Sequence, residues 1–373
     1  MNILIFIHSM SAGGAERVTA TLANHWALAG HKITIVTVDT VETDFYKLHS
    51  SVSRRSLDLA CNSFSTISGL WNNMKRIVAL RKVLVGVKPD IALAMMTTAN
   101  CLLALASVGT DIPTVGSERI HPPAMPLGSL WEFVRKNSYA HLNAVSALTK
   151  RSAKWLKENT KASKVVVIPN PVIFPLPKGV PLLDPCIKLD CSTKLLLAVG
   201  RLVHQKGFDR LIAIFSKLIV EFPDWCLAIV GEGPERSALE KQVMELNLKK
   251  KVFLPGRVGN IGDWYQAADL YVMTSRFEGF PNTLVEAMSY GLPAVSVDCD
   301  TGPRDIIRHG IDGFLVPQED DESLVKNLAY LMRNEELRER FGQYAVDVKK
   351  RFSLERIAAL WGKLFITVGK NGR

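Results

Sequence analysis

Short apolar runs alternate along the chain with longer stretches in which apolar positions recur every three or four residues. These are the patterns of buried strands and of helices that cover a sheet. The first half opens with a strand over Ile3–Ile7, a glycine turn at Gly13-Gly14 and a helix over Ala15–Ala29 closed by Gly30, and a strand over Lys32–Val38 follows. Further strands are predicted near Ile91–Met95, Thr114–Gly116, Leu142–Val145 and Val165–Ile168. Between positions 169 and 185 prolines stand at 169, 171, 175, 177, 181 and 185, too dense for a helix or a central strand, so this segment is expected to link two domains. The alternation then restarts. Strands are predicted at Leu195–Val199, Cys226–Gly231, Val252–Leu254, Leu270–Thr274, Ala294–Val297 and Phe314–Val316, with helices near Gly207–Val220, Pro234–Leu246, Ile261–Ala267 and Thr283–Tyr290. An amphipathic helix over Ser353–Val368 ends the pattern. Strand, helix and strand at this spacing predict an α/β fold of two doubly wound parallel sheets.

Length agrees, because 373 residues exceed one compact core and suit two domains. A hydrophobic share of 47% with 22% charged residues is that of an ordinary globular protein. Ile91–Thr110 carries no charge, but Thr97, Thr98, Asn100 and Ser107 interrupt it, so it reads as a buried strand and helix rather than a membrane span. The start, Met1 to Ile7, lacks the basic lead of a secretory signal, and a cytoplasmic location is expected. Six cysteines, at 61, 101, 186, 191, 226 and 299, form no C-x-x-C pair and have no histidine at zinc spacing, which suits reduced thiols.

Charge changes the picture. Residues 1–180 hold 20 Lys and Arg against 10 Asp and Glu, whereas residues 181–373 hold 26 of each, so the whole net charge of +10 sits in the first half. That half is expected to face an anionic surface or partner. Two of its segments mix aromatic with basic side chains, as an interfacial anchor does. Thr66–Val87 carries Trp71, Met74, Ile77, Val78 and Val85 beside Lys75, Arg76, Arg81 and Lys82. Leu130–Asn159 carries Trp131, Phe133, Tyr139 and Trp155 beside Arg135, Lys136, Lys150, Arg151, Lys154 and Lys157.

The most informative segment runs from Arg276 to Pro293. Glu278 and Glu286 stand eight positions apart across a Gly279-Phe280-Pro281-Asn282-Thr283 turn that enters the predicted helix at Thr283. Such a turn offers unpaired N–H groups to an anion, and Glu286 is placed to accept from a sugar diol. Thr283-x-x-Glu286 is also the spacing of a capping box, and the sequence leaves both roles open. Gly200-Arg201-Leu202-Val203-His204-Gln205-Lys206-Gly207, between a strand and a helix, supplies two cations that suit a diphosphate. Gly13-Gly14-Ala15-Glu16-Arg17 fills the first strand-to-helix turn, without the spacing of a dinucleotide fingerprint. Gly231 and the pair Arg257-Val258 each close a predicted strand. Ser117-Glu118-Arg119-Ile120-His121, before two prolines, has the composition of a functional loop. Asp298-Cys299-Asp300 has only two carboxylates, too few for a divalent ion, and no metal is expected.

The stretch from Ser275 through Pro293 resembles the E-x7-E motif of retaining GT-B glycosyltransferases of family four, and Arg201 and Lys206 are similar to that family's G-R-x-x-x-x-K-G diphosphate motif. The resemblance implies a GT-B fold whose two Rossmann-like domains face a central cleft. Residues 1–172 with a returning helix over 353–373 would form the acceptor side, and residues 173–352 the nucleotide-sugar donor domain. It implies catalytic or donor-sugar roles for Glu278, Arg201, Lys206 and His121. Donor-binding positions would be Gly13, Gly14, Gly231, Arg257, Val258, Gly279, Phe280, Pro281, Asn282, Thr283, Leu284 and Glu286, with Glu16, Arg17, Glu118 and Arg119 on the acceptor side. The expected substrates are a nucleoside-diphosphate sugar, UDP-linked, and a polyprenyl-diphosphate-linked glycan at the inner membrane face, without cofactor. An epimerase of the same fold would use the donor alone. Nucleic-acid binding would account for the basic half but leaves the two-glutamate segment without a role, so no nucleic acid is expected.

Overall fold

The computed structural model describes residues 1–60, 66–185 and 193–370. The chain divides into two compact units, Met1–Pro171 with Leu354–Arg373, and Val172–Ser353.

The first unit holds seven parallel strands, β1 (Asn2–Ile7), β2 (Lys32–Thr37), β3 (Ser53–Ser56), β4 (Ile91–Met95), β5 (Thr114–Ser117), β6 (Ala144–Ala147) and β7 (Val165–Val167), in the order β3-β2-β1-β4-β5-β6-β7. Its helices are α1 (Gly14–Leu28), α2 (Thr66–Val87), α3 (Thr97–Ala106), α4 (Ser129–Ser138) and α5 (Lys150–Asn159), together with the final helix Leu354–Lys370. Strand β1 explains the layering. Ile3, Ile5 and Ile7 point into a core shared with Trp26 of α1 and with Ile357, Trp361 and Phe365 of the final helix. Leu4 and Phe6 point the other way, against Leu80 and Leu84 of α2 and Leu103 of α3. A strand covered on both faces needs apolar residues at every position, which is why it reads as an unbroken run.

The second unit repeats the plan with β8 (Lys194–Val199), β9 (Trp225–Val230), β10 (Val252–Gly256), β11 (Leu270–Met273), β12 (Ala294–Asp298) and β13 (Gly313–Pro317), in the order β10-β9-β8-β11-β12-β13. Helices α6 (Phe208–Leu218), α7 (Arg236–Glu245), α8 (Ile261–Ala267) and α9 (Asn282–Ser289) follow β8, β9, β10 and β11 in turn. In both sheets the order reverses beside the first strand, between β1 and β4 and between β8 and β11. Open α/β sheets bind ligands at the carboxyl edge of such a reversal.

Two expectations change in part. The proline-rich stretch does carry the boundary between the units, between Pro171 and Val172, but beyond it the chain is a strap on the second unit. Gly179 N donates to Gly259 O at 2.8 Å, Gly259 N to Pro181 O at 2.7 Å, Leu176 N to the Tyr290 hydroxyl at 2.9 Å, and Trp264 Nε1 to Leu183 O at 3.0 Å. Proline removes N–H donors, but the carbonyls between the prolines remain strong acceptors. The second change is β3, Ser-Arg-Arg-Ser, an edge strand with no apolar pattern to announce it. Cys101, Cys226 and Cys299 are buried free thiols, and burial pushes each up to about 12. The other three cysteines lie outside the described residues.

Candidate functional site

The loops after β8 and β11 flank the reversal of the second sheet, and they carry Lys206 and Glu278. The two side chains meet, with Lys206 Nζ 2.5 Å from Glu278 Oε1. The same oxygen accepts from Ser275 Oγ at 2.7 Å, and the Glu278 carbonyl accepts from the Thr301 hydroxyl in the loop after β12. Glu278 is only 6% exposed. The sequence gives Glu278 a place by the donor sugar and Lys206 one on a diphosphate. In the structure the glutamate lies inside and pairs with the lysine. A carboxylate this buried needs a partner, and the ammonium with the serine hydroxyl supplies it.

Backbone contact makes the approach possible. Gly207 takes φ +64, and a Cβ there would stand 2.4 Å from Thr274 O, so only glycine lets the β8 loop lie against the end of β11. Gly231, at φ +152, is pressed on Gly200 in the same way, its Cβ position 1.9 Å from Gly200 O. Gly231 N donates to Gly256 O at 2.9 Å, which brings the loops after β8, β9 and β10 side by side along one edge. Arg201 and Arg257 are exposed on that edge and Val258 is half-buried. The Arg201 guanidinium makes no hydrogen bond or ion pair among the described residues.

Helix α9 begins at Asn282 after Pro281, one residue earlier than predicted, and no side chain caps it. The capping box is therefore not formed. Thr283 lies inside the helix, where its hydroxyl accepts from Tyr271 at 2.9 Å, and Glu286 Oε2 accepts from the Tyr265 hydroxyl at 3.2 Å. Burial pushes the Tyr271 phenol up. The Asn282 and Thr283 amides stand at the positive end of the helix. Phe280 and Leu284 are buried, Phe280 with its ring 5.3 Å from that of Phe352, and Gly279 is half-buried. Asp298 accepts from Arg304 Nε at 2.9 Å, and among the described residues no three His, Cys, Asp or Glu side chains gather as a metal site would need.

In the first unit, Gly13 precedes α1 with Gly14 as its first residue, after β1 at the reversal of that sheet. Tyr46 donates to the Gly13 carbonyl at 2.9 Å, and the Glu16 carboxylate folds back over Gly13. Arg17 is half-buried. The loop after β5 keeps its charged side chains inside. Glu118, Arg119 and His121 are all buried. Glu118 accepts from the hydroxyls of Tyr139 and of Thr97, the latter at 2.7 Å, and desolvation raises its pKa against those bonds. Arg119 donates to Asn170 and to Ser117 Oγ, the latter at 3.4 Å, and burial lowers it to about 9. His121 Nδ1 lies 3.0 Å from Ser152 Oγ.

Ser275, Thr301, Tyr265 and Tyr271 escaped sequence reasoning; the last three act through partners 23, 21 and 12 positions away, whereas Ser275 lies three residues before Glu278. Only Ser275, beside the glutamate segment, left a signal.

Comparison with known proteins agrees with this geometry. Residues 12–173 match the family model described as Glycosyltransferase Family 4, and residues 187–348 match Glycosyl transferases group 1. A Campylobacter jejuni relative is 30% identical, and the match covers 99% of each chain; it is the GalNAc-alpha-(1->4)-GalNAc-alpha-(1->3)-diNAcBac-PP-undecaprenol alpha-1,4-N-acetyl-D-galactosaminyltransferase. An exopolysaccharide phosphotransferase of Streptomyces coelicolor is 30% identical over 95% of this chain, which spans 39% of that protein's length. Among solved structures, Anabaena HepE in complex with UDP superposes with a TM-score of 0.80 at 19% identity, covering 98% of this chain and 100% of that one, a likeness of fold. With two doubly wound units, Lys206 and Glu278 meeting at the reversal of the second sheet, and both family models matched, the chain belongs to the GT-B glycosyltransferases of family four.

Proposed function

We propose that the chain is a retaining, metal-independent transferase of a hexose or N-acetylhexosamine. Its donor is a UDP-linked sugar, and its acceptor is a polyprenyl-diphosphate-linked glycan at the inner membrane face, in surface-polysaccharide assembly. The observation that carries this reading is the Lys206–Glu278 contact at the reversal of the second sheet, beside the exposed Arg201 and the first turn of α9. As the bond from sugar to diphosphate breaks, negative charge grows on the departing oxygen, and fixed positive groups stabilise it. Arg201 binds the diphosphate in bidentate fashion, Lys206 turns from Glu278 toward it, and the α9 amides complete the cradle. The acceptor hydroxyl attacks from the face the diphosphate leaves and passes its proton to a diphosphate oxygen. No carboxylate nucleophile is then needed, and Glu278 positions Lys206 and the sugar. Glu286, fixed by Tyr265, accepts from the ribose diol, while Gly231, Arg257 and Val258 line the nucleotide side.

Gly13 and Gly14 mark the carboxyl edge of the first sheet's reversal as a ligand site of that unit, with Glu16 and Arg17 assigned to the acceptor. Their burial gives Glu118, Arg119 and His121 the work of shaping their loop. UDP in the HepE complex and the PP-undecaprenol acceptor in the Campylobacter enzyme's name support the choice of substrates. Membrane contact is supported by an exposed stripe on α2, where Leu70, Trp71, Met74, Val78 and Val85 run beside Lys75 and Lys82, and by Leu130 and Phe133 on α4. Trp131 and Trp155 pack instead against the core around Tyr139 and Leu142, so of the three tryptophans the anchoring role narrows to Trp71. Among the described residues no helix is long and apolar enough to cross a membrane.

The test is a thermal-shift screen of UDP-, GDP- and ADP-linked sugars. A donor at 100 times its dissociation constant stabilises by about 2.7 kcal/mol, and a UDP sugar is expected to give the largest rise in melting temperature. No rise with any nucleotide sugar at millimolar concentration would remove the donor site.

A further inference from the structure

Arg276 opens the glutamate segment, yet nothing in the chemistry above uses it. Its guanidinium forks onto Asp209 in the first turn of α6, with Nη2 to Oδ2 at 2.7 Å and Nη1 to Oδ1 at 3.0 Å. Nη1 also donates to His204 O at 2.6 Å. Its backbone joins the same seam, since Arg276 N donates to Gln205 O at 2.7 Å and Arg276 O accepts from Gln318 Nε2 at 2.6 Å. Gln205 Nε2 returns a bond to Phe277 O at 2.8 Å. Every one of these bonds except that to Gln318 joins 204–209 to 276–277, and within those stretches or one residue beyond stand Lys206 and Glu278.

We propose that Arg276, held by Asp209, is a positioning residue that sets Lys206 against Glu278 by locking the helical turn His204–Lys206 to the loop after β11. The inference rests on the donor-site reading above. The pair is too exposed to matter much for stability, at 29% for Arg276 and 47% for Asp209. Its value is geometric, because a planar guanidinium held by two carboxylate oxygens can turn little, and its third bond then fixes the His204 carbonyl two residues before Lys206. An ammonium makes no such fork, so lysine is not an equivalent here.

The test is a double-mutant cycle read by calorimetric binding of UDP, GDP and ADP to the full chain, using whichever binds wild type most tightly. Arg276→Met is expected to weaken that affinity roughly tenfold when Lys206 is present and by less than about twofold in a Lys206→Ala background, because the two act as one unit. Asp209→Asn should reproduce most of the loss, and Arg276→Lys should fail to restore binding. Melting temperatures of the Arg276 and Asp209 variants should stay within a few degrees of wild type. Equal losses in both backgrounds, or rescue by Arg276→Lys, would make Arg276 a direct phosphate contact and overturn the proposal. So would an Asp209→Asn variant with unchanged affinity, or variants that melt far below wild type. If wild type binds none of the three diphosphates, the donor site itself is wrong and this inference falls with it.

Discussion

Replacing Lys206 by methionine keeps most of the side chain's length and removes its charge, which isolates the ion pair with Glu278. The glutamate side chain is 7% exposed and the lysine 18%, so the pair is largely sheltered from solvent. Removing one partner of a buried pair costs about 3–5 kcal/mol, because a charge is left in poor solvent. The low end applies here, since the Ser275 hydroxyl still donates to the same oxygen at 2.7 Å. About 3 kcal/mol lowers the melting temperature of a unit the size of Val172–Ser353 by roughly 6–12 °C. Adding Glu278→Gln removes the stranded charge and should recover most of that loss, although neither variant should bind a nucleoside diphosphate as wild type does. Scanning calorimetry of the three proteins decides the matter. A Lys206→Met variant as stable as wild type, or a double variant no better than the single, would refute the buried-pair argument.

Glu286→Gln should weaken donor binding with little change in melting, and Tyr265→Phe should do so more mildly; early melting with intact affinity would return Glu286 to a structural role. Turnover should survive excess EDTA, because Arg201, Lys206 and the start of α9 supply the positive field, and loss restored by manganese would revive Asp298 and Asp300 as ligands. Desolvation raises Glu118, so the wild-type advantage in melting temperature over Glu118→Gln should shrink as pH rises from 4.5 to 8; a constant difference would contradict the shift. The protein should sediment with anionic vesicles at low salt, release as salt rises and ignore neutral vesicles, and serine at Trp71, Met74 and Val78 should abolish binding. Unchanged binding by that triple variant would place the contact elsewhere.

How much was legible in the sequence follows from where each interaction is written. Parallel strands buried on both faces, such as Ile3–Ile7 or Leu195–Leu197, announce themselves as apolar runs. The edge strand Ser53–Ser56 has nothing to bury and stays silent. Leu142 drew the predicted start of β6 two residues early, because it fills the core just before the strand begins at Ala144. Charge and aromatic content located α2 and α4–α5, but not which tryptophan faces out, since Trp71 and Trp155 differ only in what packs beside them. The two-glutamate segment and the Arg201–Lys206 loop could each be found as motifs, yet 72 positions separate Lys206 from Glu278, and only the reversal of strand order brings them into contact.

The central claim is that this site moves a sugar from a nucleoside diphosphate to a lipid-linked glycan with retention. The most direct measurement incubates the chain with UDP-linked hexoses and N-acetylhexosamines and a polyprenyl-diphosphate oligosaccharide, and reads the anomeric configuration of the product by NMR. The account predicts an α-linked product from an α-linked donor, formed roughly 100-fold more slowly by Lys206→Ala. A β-linked product, an epimerised donor in the absence of acceptor, or undiminished transfer by Lys206→Ala would contradict it.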